Sequence, residues 1–152
     1  MKYINEMELK FISHSVNESF ARSAVASFCV QLNPSLDEIT DIKTAVSEAV
    51  TNCVVHAYPD KKGEIRVFVG LSNYEVVIRV SDEGVGIDDF QKAREPFFTT
   101  RPTEERAGMG FTVMESFMDS VELHKNGERG VVVEMKKAIS PKNAIKKGIE
   151  NG

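Results

Sequence analysis

Apolar residues recur at helical spacing in two segments near the start of the chain. The first predicted helix follows Ser15 and Glu18, whose spacing is that of a capping box. The second follows Ser35 and Glu38, which have the same spacing, and Pro59 is expected to end it. The positions expected to face the core are Phe20, Ala24, Val25, Phe28 and Leu32 in the first helix, and Ile39, Ile42, Val46, Ala49, Val50, Cys53 and Ala57 in the second.

Alternation of apolar and polar residues predicts strands in the rest of the chain. Neighbouring runs joined by short turns indicate two antiparallel hairpins, the second of which turns around Asn126 and Gly127. Between the hairpins, residues 82–110 show no sustained period, and residues 111–118 indicate a short helix. The predicted strands are 7–13, 64–71, 75–81, 121–125 and 131–136.

The predicted order is strand, helix, helix, hairpin, long loop, helix and hairpin. Adjacent hairpins exclude an all-parallel, doubly wound sheet. We therefore expect an α+β fold, a two-layer α/β sandwich with helices on one face of a mixed, mostly antiparallel sheet. One domain is predicted over residues 1–138, followed by a polar C-terminal tail over 139–152. A loop as long as 82–110 is uncommon in a compact domain and is usually functional.

Composition narrows the class of protein. The 152 residues fit one domain, and the net charge of −4 gives no support for direct nucleic-acid binding, which usually requires a basic face. Cys29 and Cys53 lie in helical apolar patterns and are expected to be small core residues, as suits a reducing cytoplasm. No stretch approaches the roughly 20 apolar residues that span a bilayer. We expect a cytoplasmic protein without a membrane partner.

The second predicted helix carries the first group of candidate functional residues. Glu48 and Asn52 are four residues apart and share one helix face. Such a pair alone is typical of a solvated face, but Glu48 is the single formally charged residue between Thr44 and Tyr58. Exposed helices usually carry more charge, so we expect a ligand or a lid to cover this face. His56 lies one turn further on and is more typical of a hydrogen-bonded structural histidine.

The second candidate group follows a predicted strand. Asp82 is followed by Gly84 and Gly86, a composition that is also common in simple turns. A carboxylate at the end of a strand, beside glycines that allow close backbone approach, could accept a hydrogen bond from an amine on a flat ring.

The third candidate group precedes the predicted helix at 111–118. Glycines that lead into a helix N-terminus expose backbone N–H groups at the positive end of the helix dipole, which favours phosphate, although such a segment can also be a plain helix start. The spacing matches neither the phosphate loop nor the dinucleotide fingerprint. The group comprises Arg106, Gly108, Met109, Gly110, Phe111 and Thr112.

Together and in this order, the three groups resemble the N box, G1 box and G2 box of the Bergerat-type ATP-binding fold, which gyrase, Hsp90, mismatch-repair proteins and histidine kinases share. A narrower resemblance lies in residues 47–52, 95–102, 105–111 and 114–119, which are similar to the sporulation anti-sigma F factors of spore-forming bacilli. Those proteins resemble histidine-kinase catalytic domains but phosphorylate a serine.

The resemblance implies a role for each group of residues. Asn52 would hold the Mg²⁺ that bridges the phosphates of ATP, and Glu48 would orient or deprotonate the acceptor serine. Asp82 would recognise the adenine of ATP or ADP, with Gly84, Gly86 and His56 beside it. Gly108, Gly110 and their neighbours would cradle the phosphates, with Arg106 as a charge partner, under a lid formed by residues 87–107. Val131 and Val132 replace a Thr that is common in the family, which removes one hydroxyl from the expected adenine pocket.

The resemblance also implies partners. These are a sigma factor of the sigma-F type, an anti-anti-sigma protein that carries the acceptor serine, and a second copy of the chain, paired through the first strand and helix. Arg22 lies opposite the predicted apolar stripe, so we expect it to be exposed, either as a solvated arginine or as part of a surface that binds both partners in turn.

Three alternatives remain open at this point. The first is the sister stress-response anti-sigma serine kinase, with the same chemistry and another sigma partner. The second is a histidine-kinase catalytic domain that acts on a separate protein. The third is a binding module whose nucleotide tunes partner affinity, for which Glu48 would be dispensable.

Overall fold

A computed structural model of the protein describes residues 2–85 and 105–140, with the side chains of 105–109 excluded. A 3₁₀ turn (Val30–Leu32) follows the first helix, and a π-helical turn (Cys53–Ala57) follows the second. The main elements, in chain order, are β1 (Asn5–Ile12), α1 (Val16–Cys29), α2 (Leu36–Asn52), β2 (Glu64–Ser72), β3 (Glu75–Asp82), α3 (Glu105–Phe117), β4 (Ser120–Asn126) and β5 (Gly130–Ala138).

The five strands form one sheet in the order β1-β2-β3-β5-β4. All four strand pairings are antiparallel, so the parallel pairing that a mixed sheet would contain does not occur among the described strands. Helix α2 packs between α1 and α3, and the three helices and the sheet share one apolar core. The predicted two-layer α+β fold is confirmed. Within the described residues, no helix is long and apolar enough to cross a membrane.

Helix α2 begins as its sequence predicts. The Ser35 hydroxyl accepts the Glu38 backbone N–H at 3.1 Å, and the Glu38 carboxylate accepts the Ser35 N–H at 2.8 Å, which completes a capping box. Ile39 is half-buried, and the other predicted core positions of this helix are buried. The α-helix ends at Asn52, and the chain continues through the π-helical turn towards Pro59.

Helix α1 differs from its prediction in two respects. An N-cap side chain can bond to the first turn of a helix only when its own backbone is extended. Ser15 has α-helical backbone angles instead, and its side chain makes no capping hydrogen bond. The buried face is that of Ala21, Val25 and Cys29, and Phe20 is 56% exposed. Small residues on the buried face let α1 approach α2 closely, and this turns Phe20 outwards.

The orientation of α1 also determines the surroundings of Arg22. Its side chain is 37% exposed and lies 3.6 Å from the Glu18 carboxylate. The arginine that was predicted to be exposed is therefore half-buried and ion-paired. Its guanidinium also donates to the Ser19 hydroxyl at 3.4 Å.

Helix α3 begins at Glu105, six residues before the predicted start, so Gly108 and Gly110 lie inside the helix rather than ahead of it. Strong helix-forming residues surround these glycines in the sequence, and Phe111 and Met114 anchor the helix in the core. The predicted arrangement of glycines leading into a helix start is therefore wrong for the backbone observed here.

Both predicted hairpins are confirmed, with strands longer by one or two residues at their ends. The β4–β5 hairpin closes through residues 127–129, in which Gly127 has φ of 72°. Positive φ is readily adopted by glycine and is typical of three-residue hairpin turns.

Candidate functional site

Three of the predicted site residues meet where α3 crosses α2. Glu48 and Asn52 are half-buried on one face of α2, and Gly110 of α3 lies against both. A Cβ atom at position 110 would lie 3.2 Å from Glu48 Oε2 and 3.3 Å from the amide atoms of Asn52. Glycine therefore allows α3 to approach these side chains closely. The cover that the sequence predicts for this face is provided at least in part by α3.

The Asn52 amide has hydrogen-bonding capacity left over. Its Nδ2 atom is buried and has no hydrogen-bond partner among the described residues. Leaving a buried polar group unpaired costs about 1–3 kcal/mol, so such an atom marks a place where a polar ligand gains affinity. The carboxylate of Glu48 and the amide oxygen of Asn52 are hard oxygen donors, the type that Mg²⁺ prefers. The residues present therefore fit a nucleotide phosphate group with its magnesium ion.

The π-helical turn that follows Asn52 connects this cluster to the end of β3. Turns of this type are rare in proteins, and those that occur are often found at functional sites. The backbone N–H of Val85 donates to the carbonyl of Ala57 at 3.0 Å, and a Cβ at Gly84 would lie only 2.1 Å from the same carbonyl oxygen. Only glycine permits this approach, so the segment after β3 is held directly against the end of the π-helical turn.

Asp82 is the buried carboxylate of this region, with 6% of its surface exposed. Its Oδ1 accepts the backbone N–H of Gly84 at 2.9 Å, and its Oδ2 accepts the thiol of Cys53 at 3.5 Å. Burial raises the pKa of Asp82, while the hydrogen bonds from Gly84, Cys53 and the Val131 backbone act in the opposite direction. Because these neighbours are all donors, the carboxylate serves as an acceptor and is suited to bind an amino group.

The backbone around Asp82 is fixed from the side of β5. Asn126 donates from Nδ2 to the Asp82 carbonyl at 2.8 Å, and a Cβ at Gly130 would lie 2.1 Å from that same oxygen. The backbone of Val131, near the start of β5, also acts to lower the pKa of the Asp82 carboxyl.

Tyr58 also holds this region together, although none of the sequence predictions includes it. Its hydroxyl donates to the Glu64 carbonyl at 2.7 Å and accepts the Glu83 N–H at 2.8 Å, so it ties β2 to the segment beside Asp82. A Cβ at Gly63 would lie 2.2 Å from the Tyr58 ring, so glycine leaves room for the ring. Burial raises the pKa of Tyr58, which keeps the hydroxyl protonated. No local spacing in the sequence signals this role.

The remaining predicted residues are described to different extents. His56 is half-buried in the π-helical turn, Phe111 is buried in the core and Thr112 is half-buried on α3. Gly86 and most of the predicted lid lie outside the described residues. Arg106, Gly108 and Met109 lie within α3, in the part for which side chains are not described.

A second cluster of potential metal ligands lies away from this site, on β4 and β5. One ligand atom from each of Glu122, His124 and Glu134 lies within 4.8 Å of the others. Arg79 already donates to Glu134 at 2.7 Å and lowers the pKa of that carboxyl. The cluster is therefore accounted for by ion pairing on the open face of the sheet.

Comparison with known proteins finds the same fold. A family model described as "Histidine kinase-like ATPase domain" matches residues 15–137. The solved structures of similar fold include the RsbU and RsbW domains of Rv1364c from Mycobacterium tuberculosis, with a TM-score of 0.64 at 18% identity, covering 89% of this chain and 32% of that one. They also include the catalytic domain of the histidine kinase ThkA, with a TM-score of 0.56 at 18% identity, covering 91% of this chain and 100% of that one.

Curated relatives are much more similar in sequence. An "Anti-sigma F factor" from Caldanaerobacter subterraneus subsp. tengcongensis is 56% identical over 139 residues, 91% of this chain and 97% of the relative. One from Clostridium acetobutylicum is 52% identical over 136 residues, 90% of this chain and 95% of the relative. The chain therefore belongs to the histidine kinase-like ATPase domain family and, within it, to the family of anti-sigma F factors.

Proposed function

We propose that this chain binds and inhibits a sigma factor of the sigma-F type, and that it uses Mg-ATP to phosphorylate a serine on the anti-anti-sigma protein that opposes it. The observation that carries the phosphotransfer part is the cluster of Glu48, Asn52 and Gly110. It combines a carboxylate, a buried amide with unused hydrogen-bonding capacity and a glycine at one crossing of two helices. The curated relatives named as anti-sigma F factors support the partner.

Each residue has a separate task in this proposal. Asn52 holds the magnesium ion through its amide oxygen, and Glu48, one helical turn earlier, accepts or orients the hydroxyl proton of the acceptor serine. The ion supplies positive charge that stabilises the phosphates when the nucleotide is bound. Asp82 accepts a hydrogen bond from the adenine amino group, and Arg106 serves as a charge partner for the phosphates. Phosphoryl transfer depends mainly on such positioning and charge neutralisation.

Residues 87–107 form the lid over the nucleotide in this proposal. Closure of such a segment excludes water and commits the substrate to reaction.

A transfer assay tests the phosphotransferase part. Glu48→Gln should retain nucleotide but lose about 10²–10⁴-fold in transfer rate, because that is the usual contribution of general-base assistance. Asn52→Ala should weaken Mg²⁺-dependent binding instead. Glu115→Gln, the same chemical change at an exposed carboxylate on α3, is the matched control and should behave as wild type.

The readout is label transferred from ATP to the purified antagonist, followed by phosphoamino-acid analysis. Phosphohistidine in place of phosphoserine would identify a histidine kinase. Normal transfer by Glu48→Gln would contradict the assigned role and leave a nucleotide-tuned binding module. A pull-down from sporulating cells with and without ATP tests the sigma factor, and recovery of a stress-response sigma factor would identify the sister kinase.

Self-association through the first strand and helix is also part of the proposal. Ile12 at the end of β1 and Val16 and Phe20 on α1 are all more than half exposed, and the last two share a helix face. Exposed apolar groups of this kind favour association. Strand β1 is also an edge of the sheet.

A further inference from the structure

Cys53 lies between the two parts of the candidate site. It follows Asn52 directly, at the first position of the π-helical turn, and its thiol reaches Asp82 on β3. The Sγ–Oδ2 distance is 3.5 Å, and both side chains are buried. The thiol is the donor in this contact and the carboxylate oxygen is the acceptor.

We propose that Cys53 is a positioning residue for base recognition: its thiol holds one oxygen of Asp82, the Gly84 N–H holds the other, and the carboxylate is thereby fixed to accept the amino group of adenine. This inference rests on the proposed nucleotide binding. It adds a determinant of specificity that lies one residue from the magnesium ligand.

The physical argument is one of orientation. An aspartate carboxylate can rotate about its last side-chain bond, and a single hydrogen bond does not fix its plane. Gly84 donates to Oδ1 and Cys53 to Oδ2, so the two oxygens are held separately. A pre-oriented acceptor gains affinity because the ligand does not have to order it. A ligand without the amino group gains nothing from this arrangement.

The test compares two nucleotides that differ at one group of the base. ADP carries an amino group at C6 of the purine, and inosine diphosphate carries an oxygen there. Cys53→Ala should weaken ADP binding about three- to tenfold, the range expected for one hydrogen bond from a weak donor. Inosine diphosphate affinity should not change. Cys53→Ser, which restores a donor of similar size, should recover the preference for ADP.

Cys29→Ala is the matched control, because Cys29 is equally buried and its pKa is raised, to about 12, by burial alone. It should bind both nucleotides as wild type does. If Cys53→Ala does not fold, Cys53→Val removes the donor while keeping the space filled.

Equal losses for both nucleotides would mean that Cys53 acts only through packing, and this result would overturn the inference. Unchanged ADP affinity in the variants without a donor would overturn it as well. In both cases wild type still binds ADP, so the proposed function would stand. If the wild-type protein does not bind ADP, both the inference about Cys53 and the proposed function are overturned.

Discussion

Replacing Asp82 with Asn tests the base-recognition end of the site most directly. The substitution keeps the size of the side chain and converts one acceptor oxygen into an NH₂ donor. In the structure, Gly84 donates to one Asp82 oxygen and Cys53 to the other, so the new NH₂ must face a donor in either orientation. It would also face the adenine amino group, which is itself a donor.

The magnitude follows from the burial of this side chain. With 6% of Asp82 exposed, water cannot replace the lost acceptor. An unpaired buried polar group costs about 1–3 kcal/mol, which corresponds to a loss of about ten- to a hundredfold in ADP affinity. Titration of fluorescently labelled ADP measures this loss. Thermal unfolding without nucleotide separates the loss from a change in stability.

Glu83→Gln is the matched control, since it makes the same chemical change at the next residue, whose side chain is exposed. It should bind ADP as wild type does. If Asp82→Asn also binds ADP normally, the carboxylate does not recognise the base, and the nucleotide pocket has to be sought elsewhere.

Three further predictions concern surfaces and pH. Arg22→Ala should weaken binding to the sigma factor or to the antagonist while leaving ADP affinity intact, as calorimetry with each purified partner would measure. Normal affinity for both partners would mean that the docking face is instead the lid around Arg101 and Arg106. Light scattering should give a dimer mass at micromolar concentration, and a monomer with and without nucleotide would contradict the proposed pairing. Arg79 lowers the pKa of Glu134 below its ordinary 4.5, so Glu134→Gln should lower the free energy of unfolding at neutral pH. This loss, measured by denaturant unfolding, should become smaller as the pH falls below 4.5. A loss that is the same at every pH would contradict a stabilising ion pair.

The sequence by itself determined most of the architecture. Periodicity predicted both hairpins and the first two helices, because side-chain direction repeats every two residues in a strand and about every 3.6 in a helix. The capping box at Ser35 and Glu38 is a contact between near neighbours, and it formed as predicted. Glu48 and Asn52 share a face for the same local reason.

Local pattern was not sufficient where several faces of a helix were apolar. The sequence of α1 would allow either Phe20 or Ala21 to face the core. Ala21 is buried because it lies on the face whose small residues pack against α2. The Ser15 capping box did not form because the chain enters α1 with a helical backbone at that residue. Helix α3 begins at Glu105 although two glycines follow, since the packing of Phe111 and Met114 outweighs the weak helix propensity of glycine.

Only the tertiary structure decided the contacts that complete the site. Cys53 and Asp82 are separated by 29 residues, and no periodicity relates them; they meet because the sheet brings the end of β3 under the π-helical turn. Tyr58 reaches Glu83 because glycine at position 63 leaves room for its ring, and that proximity is set by how the backbone segments pack. Side-chain periodicity determines which residues face the core, whereas these distances depend on how the elements pack.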